Sequence, residues 1–236
     1  MAIYLGYNRA MKLLTIIPAY NEQDCIVGTI EELRQAVPDV DILVINDGST
    51  DETGAICRRE GYNFLDLPIN VGLSAGFQAG MKYAWRNGYD CALQFDADGQ
   101  HRPEYVTPML EAMEATGADI VIGSRFVTKK KNASARMAGS MLISSLIKLT
   151  TGKKLFDPTS GMRMYNRRTI EEFVNRSDFG PEPDTLAYLM RKGFKVVEVQ
   201  AEMRDRETGE SYLSFSKSIM YMARAFVSIL IVQWLR

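Results

Sequence analysis

Histidine is almost missing from this 236-residue chain: His101 is the only one. Cysteine is scarce as well, with Cys25, Cys57 and Cys91 far apart in sequence. A single imidazole and three scattered thiols offer no ligand spacing for zinc. The cysteines read instead as reduced packing residues of a cytosolic protein, Cys91 in an apolar run and the other two in expected helices. Excess charge is also missing. Twenty-eight Lys and Arg stand against 29 Asp and Glu, a net of −1. No global field therefore draws the chain to nucleic acid or an anionic membrane, and any attraction to phosphate must be local. The segment 1–10 is polar, without the apolar core of a secretory signal, and reads as an N-terminal extension. No internal repeat, low-complexity tract or flexible linker interrupts the chain. What remains is 46% hydrophobic and 24% charged, ordinary for a globular protein with a sizeable core.

The first half alternates short apolar runs with helical periods. Strands are expected at Leu13–Ile17, Asp41–Ile45, Asn63–Leu67, Cys91–Phe95 and Ile120–Ile122. Helices are expected at Asp24–Val37, Thr50–Glu60, Ala75–Trp85 and Glu104–Ala115. This order predicts βαβ units and a mostly parallel sheet, whose ligands sit at the carboxyl ends of the strands. Further on, the run Lys129-Lys130-Lys131-Asn132 reads as a loop, Arg136–Thr150 as a helix and Asp157–Arg167 as turn and strand. Asp184–Lys192 follows as a helix and Lys195–Val199 as a strand.

Two strand mouths carry chemistry. The apolar run ending at Phe95 opens onto Asp96-Ala97-Asp98-Gly99-Gln100-His101. Carboxylates one residue apart suit a hard divalent cation whose other positions are left to phosphate oxygens. A solvated Asp-Gly turn is the plain alternative. His101 is either a metal or phosphate contact or simply part of that loop. Asn46-Asp47-Gly48-Ser49-Thr50-Asp51 ends the second strand. Helix capping explains Asp51 but not Asp47, which is placed to accept hydrogen bonds from a base or ribose. Neither a dinucleotide glycine fingerprint nor a Walker loop is present.

These motifs, together with Ile16-Ile17-Pro18-Ala19-Tyr20-Asn21-Glu22 and Asn70-Val71-Gly72, stand in order over roughly the first 125 residues. On them the chain resembles family 2 glycosyltransferases of GT-A fold. Three further stretches resemble polyprenyl-phosphate sugar synthases of the dolichyl-phosphate mannose synthase type. They are Ile122-Gly123-Ser124-Arg125-Phe126, Asp157-Pro158-Thr159-Ser160-Gly161-Met162-Arg163 and Arg206-Glu207-Thr208-Gly209-Glu210-Ser211. The resemblance implies a Rossmann-like α/β domain over 11–212, a mostly parallel sheet flanked by helices. It implies a nucleotide pocket of Pro18, Ala19, Tyr20, Glu22 and Asp47, with Gly72 admitting the base and Asp96 at the diphosphate. Mg²⁺ or Mn²⁺ would be held by Asp96 and Asp98, with Gln100. Asp98, Asp184 and Arg125 are the implied catalytic residues; Asp184, with Glu182 nearby, lies where this family carries a base. A lipid phosphate acceptor needs no strong base, and Arg125, Arg136, Arg163 and Arg206 are then the phosphate-binding candidates.

The implied activity is metal-dependent, inverting transfer from a nucleotide sugar, UDP-sugars first, to polyprenyl phosphate at the cytosolic membrane face. Cell wall or polysaccharide assembly is the setting. The alternatives are transfer to a glycan hydroxyl, or a non-catalytic nucleotide-sugar-binding subunit. A nucleotidyltransferase would carry a glycine-rich first loop, which is absent. At the C-terminus, 213–236, an amphipathic helix places Ile219, Met222, Ala223, Phe226, Val227, Leu230 and Trp234 on one face, with Lys217, Tyr221, Arg224 and Ser228 on another. The uncharged run Ala225–Leu235 falls short of the about 20 residues a bilayer span takes. An interfacial helix, or a dock for a small membrane-protein partner, is expected ahead of plain packing. Many members of the family continue into transmembrane helices, which this sequence does not show; self-association is the remaining partner expectation.

Overall fold

The apolar runs are continuous rather than alternating because both faces of each inner strand are covered. In β1 (Leu13–Ala19), Leu14 and Ile16 meet one helical layer, and Leu13, Ile17 and Ala19 the other. The computed structural model describes residues 11–129, 135–204 and 224–232. After β1 come α1 (Ile26–Ala36), β2 (Asp41–Asp47), α2 (Thr53–Arg59), β3 (Phe64–Leu67), α3 (Leu73–Arg86) and β4 (Cys91–Gln94). A single tight turn at Pro103–Tyr105 leads into α4 (Val106–Thr116), followed by β5 (Ile120–Ser124) and α5 (Ala135–Thr151). Then follow β6 (Arg163–Asn166), α6 (Arg167–Asn175), α7 (Pro183–Arg191), β7 (Val196–Gln200) and a helical segment over 224–232.

The sheet runs β3-β2-β1-β4-β6-β5-β7. β3, β2, β1 and β4 are mutually parallel, β5 is parallel to β7, and β6 is antiparallel to both of its neighbours. α1, α2 and α4 cover one face through Ile26, Ile30, Leu33, Cys57, Met109 and Met113. α3, α5, α6 and α7 cover the other. There Phe77, Tyr165, Phe173, Phe179 and Tyr188 form a chain of tilted and edge-on ring contacts, with centroids 5.4 to 5.8 Å apart. Such pairs each add about 0.5–1.5 kcal/mol beyond area burial. None of the cysteines is in a disulfide. Burial, with Asp66 nearby, pushes the Cys57 thiol up to about 11, and burial pushes Cys91 to about 12, so both remain thiols.

Beside shifts of one to three residues at element ends, such as β2 reaching Asp47 and β5 reaching Ser124, three departures from the sequence expectation stand out. β1 runs two residues past Ile17. Ile16 turns its carbonyl to Phe95, so Pro18, two residues on, faces the same edge, where β4 has already ended at Gln94. Its missing N–H therefore leaves no ladder bond unmade. A helix not expected at all, α6, starts at Asn166, whose side chain accepts from the Thr169 amide at 2.9 Å. Third, the C-terminal stripe is turned. Ala225, Ser228 and Ile229 face inward, although Ser228 was expected on the polar face, while Phe226 and Val227 are exposed. Residues 1–10, 130–134, 205–223 and 233–236 lie outside the described residues. With them go the N-terminal extension, most of the lysine run, the 212/213 boundary and Arg206.

Candidate active site

The chain winds outward from β1 through β2 to β3, then returns across β1 to β4. The topological switch point lies between β1 and β4, where open α/β sheets place their ligands. The loop after β1 flanks it on one side and the two-carboxylate loop after β4 on the other.

The loops after β1 and β2 are stitched together by side chain to backbone bonds. Asn21, with φ 56°, accepts from the Thr50 amide at 2.8 Å and donates its own amide to Ser49 Oγ at 3.0 Å. The Glu22 amide donates to Thr53 Oγ1 at 2.9 Å, and Gln23 and Thr53 both donate backbone N–H groups to Asp51. Glu22 also starts α1, its carbonyl accepting from Ile26. Pro18 and Ala19 end β1, and Tyr20 is 38% exposed at the mouth. Asp47 was expected to meet a base or ribose. Its two carboxylate oxygens receive the amides of Val71 and Gly72, at 2.8 and 2.9 Å. It thereby draws the loop before α3 over the end of β2. Gly72 turns at φ 85° with open space where a Cβ would stand.

On the other side of the switch point the Asp96 side chain is 37% exposed and Asp98 is buried. Asp98 Oδ1 accepts from the Gln100 amide at 3.1 Å, a turn that holds the loop. The Gln100 side chain donates to the Arg204 carbonyl at 3.3 Å, and its own carbonyl accepts from the Arg204 amide. His101, the undecided residue of this loop, is buried and its Nδ1 accepts from the Asp96 amide at 2.9 Å. Among the described residues no group of three or more His, Cys, Asp or Glu gathers to hold a metal. Two carboxylates at the mouth fit a hard cation that keeps most of its positions for water and phosphate oxygens.

The arginines are placed differently from one another. Arg125 meets Asp157 as a fork, Nε to Oδ2 at 2.7 Å and Nη2 to Oδ1 at 2.9 Å, with Asp157 fully buried. The Asp157 hydrogen bond raises the Arg125 pKa further, so its charge is fixed. Arg163 is buried and donates to the carbonyls of Ser160 at 2.8 Å and Pro158 at 2.7 Å. Both therefore hold the 157–161 loop. Glu198 holds it from behind, accepting the amides of Phe156 and Asp157. Arg136 belongs to α5. Asp157, Ser160 and Gly161 had stood in the sequence only as markers of resemblance, since nothing local shows that a carboxylate 32 residues away answers Arg125.

Glu182 and Asp184 open α7 but face different ways. Ser74, in the first turn of α3, donates its hydroxyl to Glu182 Oε1. Burial, and then the charge of Asp184, push the Glu182 carboxyl above the usual range, while the Ser74 bond opposes them. Asp184 is buried and accepts from Ser228 Oγ of the C-terminal segment. Glu182 thus lies against the loop-and-helix unit that Asp47 organises, and Asp184 ties down the end of the described chain.

Two loops closed over one strand end face a carboxylate pair across the sheet's switch point. The architecture is that of the GT-A glycosyltransferases. Glucosyl-3-phosphoglycerate synthase from Mycobacterium tuberculosis, solved with Mn²⁺, UDP-glucose and phosphoglyceric acid, superposes with a TM-score of 0.68 at 16% identity over 94% of this chain and 79% of that one. A mannosyltransferase from Pyrobaculum calidifontis, solved with GDP-mannose and Mn²⁺, gives 0.67 at 12% identity over 97% and 66%. The chain belongs to glycosyl transferase family 2, whose pattern matches residues 15–174, and it is a glycosyltransferase. Among its relatives, the undecaprenyl-phosphate mannosyltransferase of Micrococcus luteus is 34% identical over 216 residues, 86% of this chain and 88% of that protein. The polyprenol monophosphomannose synthase of Mycolicibacterium smegmatis is 33% identical over 218 residues, 87% and 82%.

Proposed function

We propose that the protein moves a sugar from a nucleoside diphosphate to polyprenyl phosphate at the cytosolic face of a membrane, with inversion at the anomeric carbon. The observation that carries the lipid acceptor is the outer surface of α5 and the C-terminal segment, which pack on each other and on α7. α5 exposes Met141, Leu142 and Leu149, and the segment exposes Phe226, Val227 and Ile231. Lys148, Lys153 and Lys154 stand exposed at the end of α5. Apolar side chains beside lysines suit the interface of an anionic bilayer. No helix among the described residues is long and apolar enough to cross a membrane.

A phosphate acceptor is already an anion at neutral pH. Its oxygen attacks the anomeric carbon, the bond to the diphosphate oxygen breaks, and no proton need be removed from the acceptor. This accords with Asp184 holding Ser228. Asp96 and Asp98 would hold Mg²⁺ or Mn²⁺; a bound cation neutralises charge on the departing diphosphate. Asp47 fixes the loop over the base. Glu182, less readily ionised than an ordinary carboxyl, stands between the first turns of α3 and α7 to hydrogen-bond a sugar hydroxyl. Arg125 and Arg163 keep the 157–161 wall in place, and Arg136 and Arg206 are the remaining contacts for acceptor phosphate.

The test is nucleoside diphosphate release from UDP-sugars and GDP-mannose, with and without polyprenyl phosphate and Mn²⁺. Mannose comes first, because the two relatives are named for it. Release that requires the lipid phosphate, survives Asp184→Asn and is abolished by Asp98→Ala supports the reading. Release driven by a glycan hydroxyl and lost in Asp184→Asn establishes the polysaccharide alternative. Binding without release from any donor establishes a silent subunit.

A further inference from the structure

A half-exposed carboxylate has freedom about its side-chain bonds unless its neighbours remove it. At Asp96 they do. The Asp96 amide donates to His101 Nδ1, so that nitrogen presents a lone pair and the ring proton sits on Nε2. Nε2 in turn stands 3.5 Å from Asp96 Oδ2. The imidazole is 5% exposed and lies edge-on to Phe95, with centroids 5.3 Å apart. Behind it, His101 pairs with Met203 in an antiparallel bridge. The remaining side is closed by Gly161. A Cβ there would lie 2.8 Å from Asp96 Oδ2 and 3.4 Å from His101 Cε1.

We propose that His101 is a positioning residue of the divalent-cation site, aiming the Asp96 carboxylate, and that Gly161 leaves the space in which it is aimed. The inference rests on the reading of Asp96 and Asp98 as cation ligands. One imidazole accepts from the Asp96 amide and stands against one oxygen of the same residue's carboxylate, whose other oxygen accepts from Gln94 Nε2 at 3.3 Å. Gly161 adds a link between the two sides of the site. It belongs to the wall fixed by Arg125, Arg163 and Glu198, so that wall borders the Asp96 carboxylate directly.

Two substitutions test this by different routes. His101→Asn keeps an acceptor near the Nδ1 position and removes the group aimed at Oδ2. Gly161→Ala leaves the imidazole and crowds the carboxylate. The measurement is Mn²⁺ binding by electron paramagnetic resonance in the presence of UDP, with GDP in a parallel series. Each variant is expected to bind Mn²⁺ about tenfold more weakly, the lower end of the range for lost outer-shell partners. Urea midpoints separate any loss of stability from the loss of Mn²⁺ affinity, and the apparent KM for Mn²⁺ should rise while kcat at saturating Mn²⁺ is kept. Should His101→Asn fail to fold, Gly161→Ala carries the test alone. Affinities within about twofold of wild type in the folded variants overturn the proposal, given outer-shell effects of tenfold or more. A wild-type chain that binds no Mn²⁺ with either nucleotide overturns the cation reading and this inference with it, and is told apart by the wild-type titration itself.

Discussion

Gly48 turns at φ 64° directly beneath the loop that Asp47 holds, and a Cβ there would lie 2.4 Å from Ile69 C and from Asn70 N. Backbone cannot step aside as a side chain can, and the left-handed φ adds its own strain. Gly48→Ala is therefore expected to shift the Val71 and Gly72 amides off Asp47, weakening UDP or GDP binding by about tenfold or more and stability by about 1–3 kcal/mol. Calorimetric titration and urea unfolding read the two effects. Glu182 makes a pH prediction. Its pKa is raised in the fold, so its contribution is fully present below the unfolded value and is lost as pH rises through the folded one. Glu182→Gln keeps the neutral shape and should be more stable than wild type at about pH 8, the difference closing near about pH 4. Urea midpoints across that range check the sign. At this scale the sequence showed which groups carry charge. Asp96, Asp98 and Asp47 were legible because each follows an apolar run at a strand mouth. The partners of Arg125 and Arg163 were not, because Asp157 and the loop carbonyls come into place only when β6 folds back beside β5.

At the scale of the elements, α3 lies close on β1. A Cβ on Gly80 would lie 2.6 Å from Ile16 Cγ2, and Ile16 is fully buried in β1, between β2 and β4. Alanine is the better helix former by about 1 kcal/mol. The branched, enclosed Ile16 has nowhere to turn, so Gly80→Ala is expected to destabilise by a net of about 1 kcal/mol, the low end for overpacked cores. Urea unfolding decides whether packing or propensity prevails. The inner strands of the first half were readable as continuous apolar runs because both faces are covered, and the helices by their one buried stripe. α6 was hidden by its short length and by Arg167, Arg168, Glu171 and Glu172, which read as polar surface. Its Asn166 cap and the buried Ile170 and Phe173 are the signal that was there. The C-terminal segment defeated its hydrophobic periodicity for another reason. Ser228 faces inward beside Ala225 and Ile229, its hydroxyl donating to Asp184, and Phe226 and Val227 are left outside.

For the molecule as a whole, the outward apolar side of α5 and the C-terminal segment is expected to meet a lipid surface. Burying an aliphatic or aromatic side chain is worth roughly 1.5–3 kcal/mol, so Leu142→Asp with Phe226→Asp should lower partition to phosphatidylglycerol vesicles by tenfold or more. Co-sedimentation measures this, and transfer to a short, water-soluble polyprenyl phosphate should persist. The sheet order has a consequence of a different kind, for how the chain reaches this state. β6 sits between β4 and β5, yet it is made after both of them and after α5. Until residues 163–166 arrive, one side of β4 and one side of β5 hold unpaired backbone groups, which is the condition under which strands join to the wrong partner. β1 to β4 can assemble from near neighbours as they emerge. The closing strand depends on pairing Cys91 with Asn166 across 75 residues, a contact whose loop must be closed before any ladder bond repays it. The strand that closes this gap also carries Arg163 and the base of the 157–161 wall, and only the edge strand β7 is made after it. A chain that has folded only to β5 has the loops after β1, β2 and β4 but not yet the 157–161 wall.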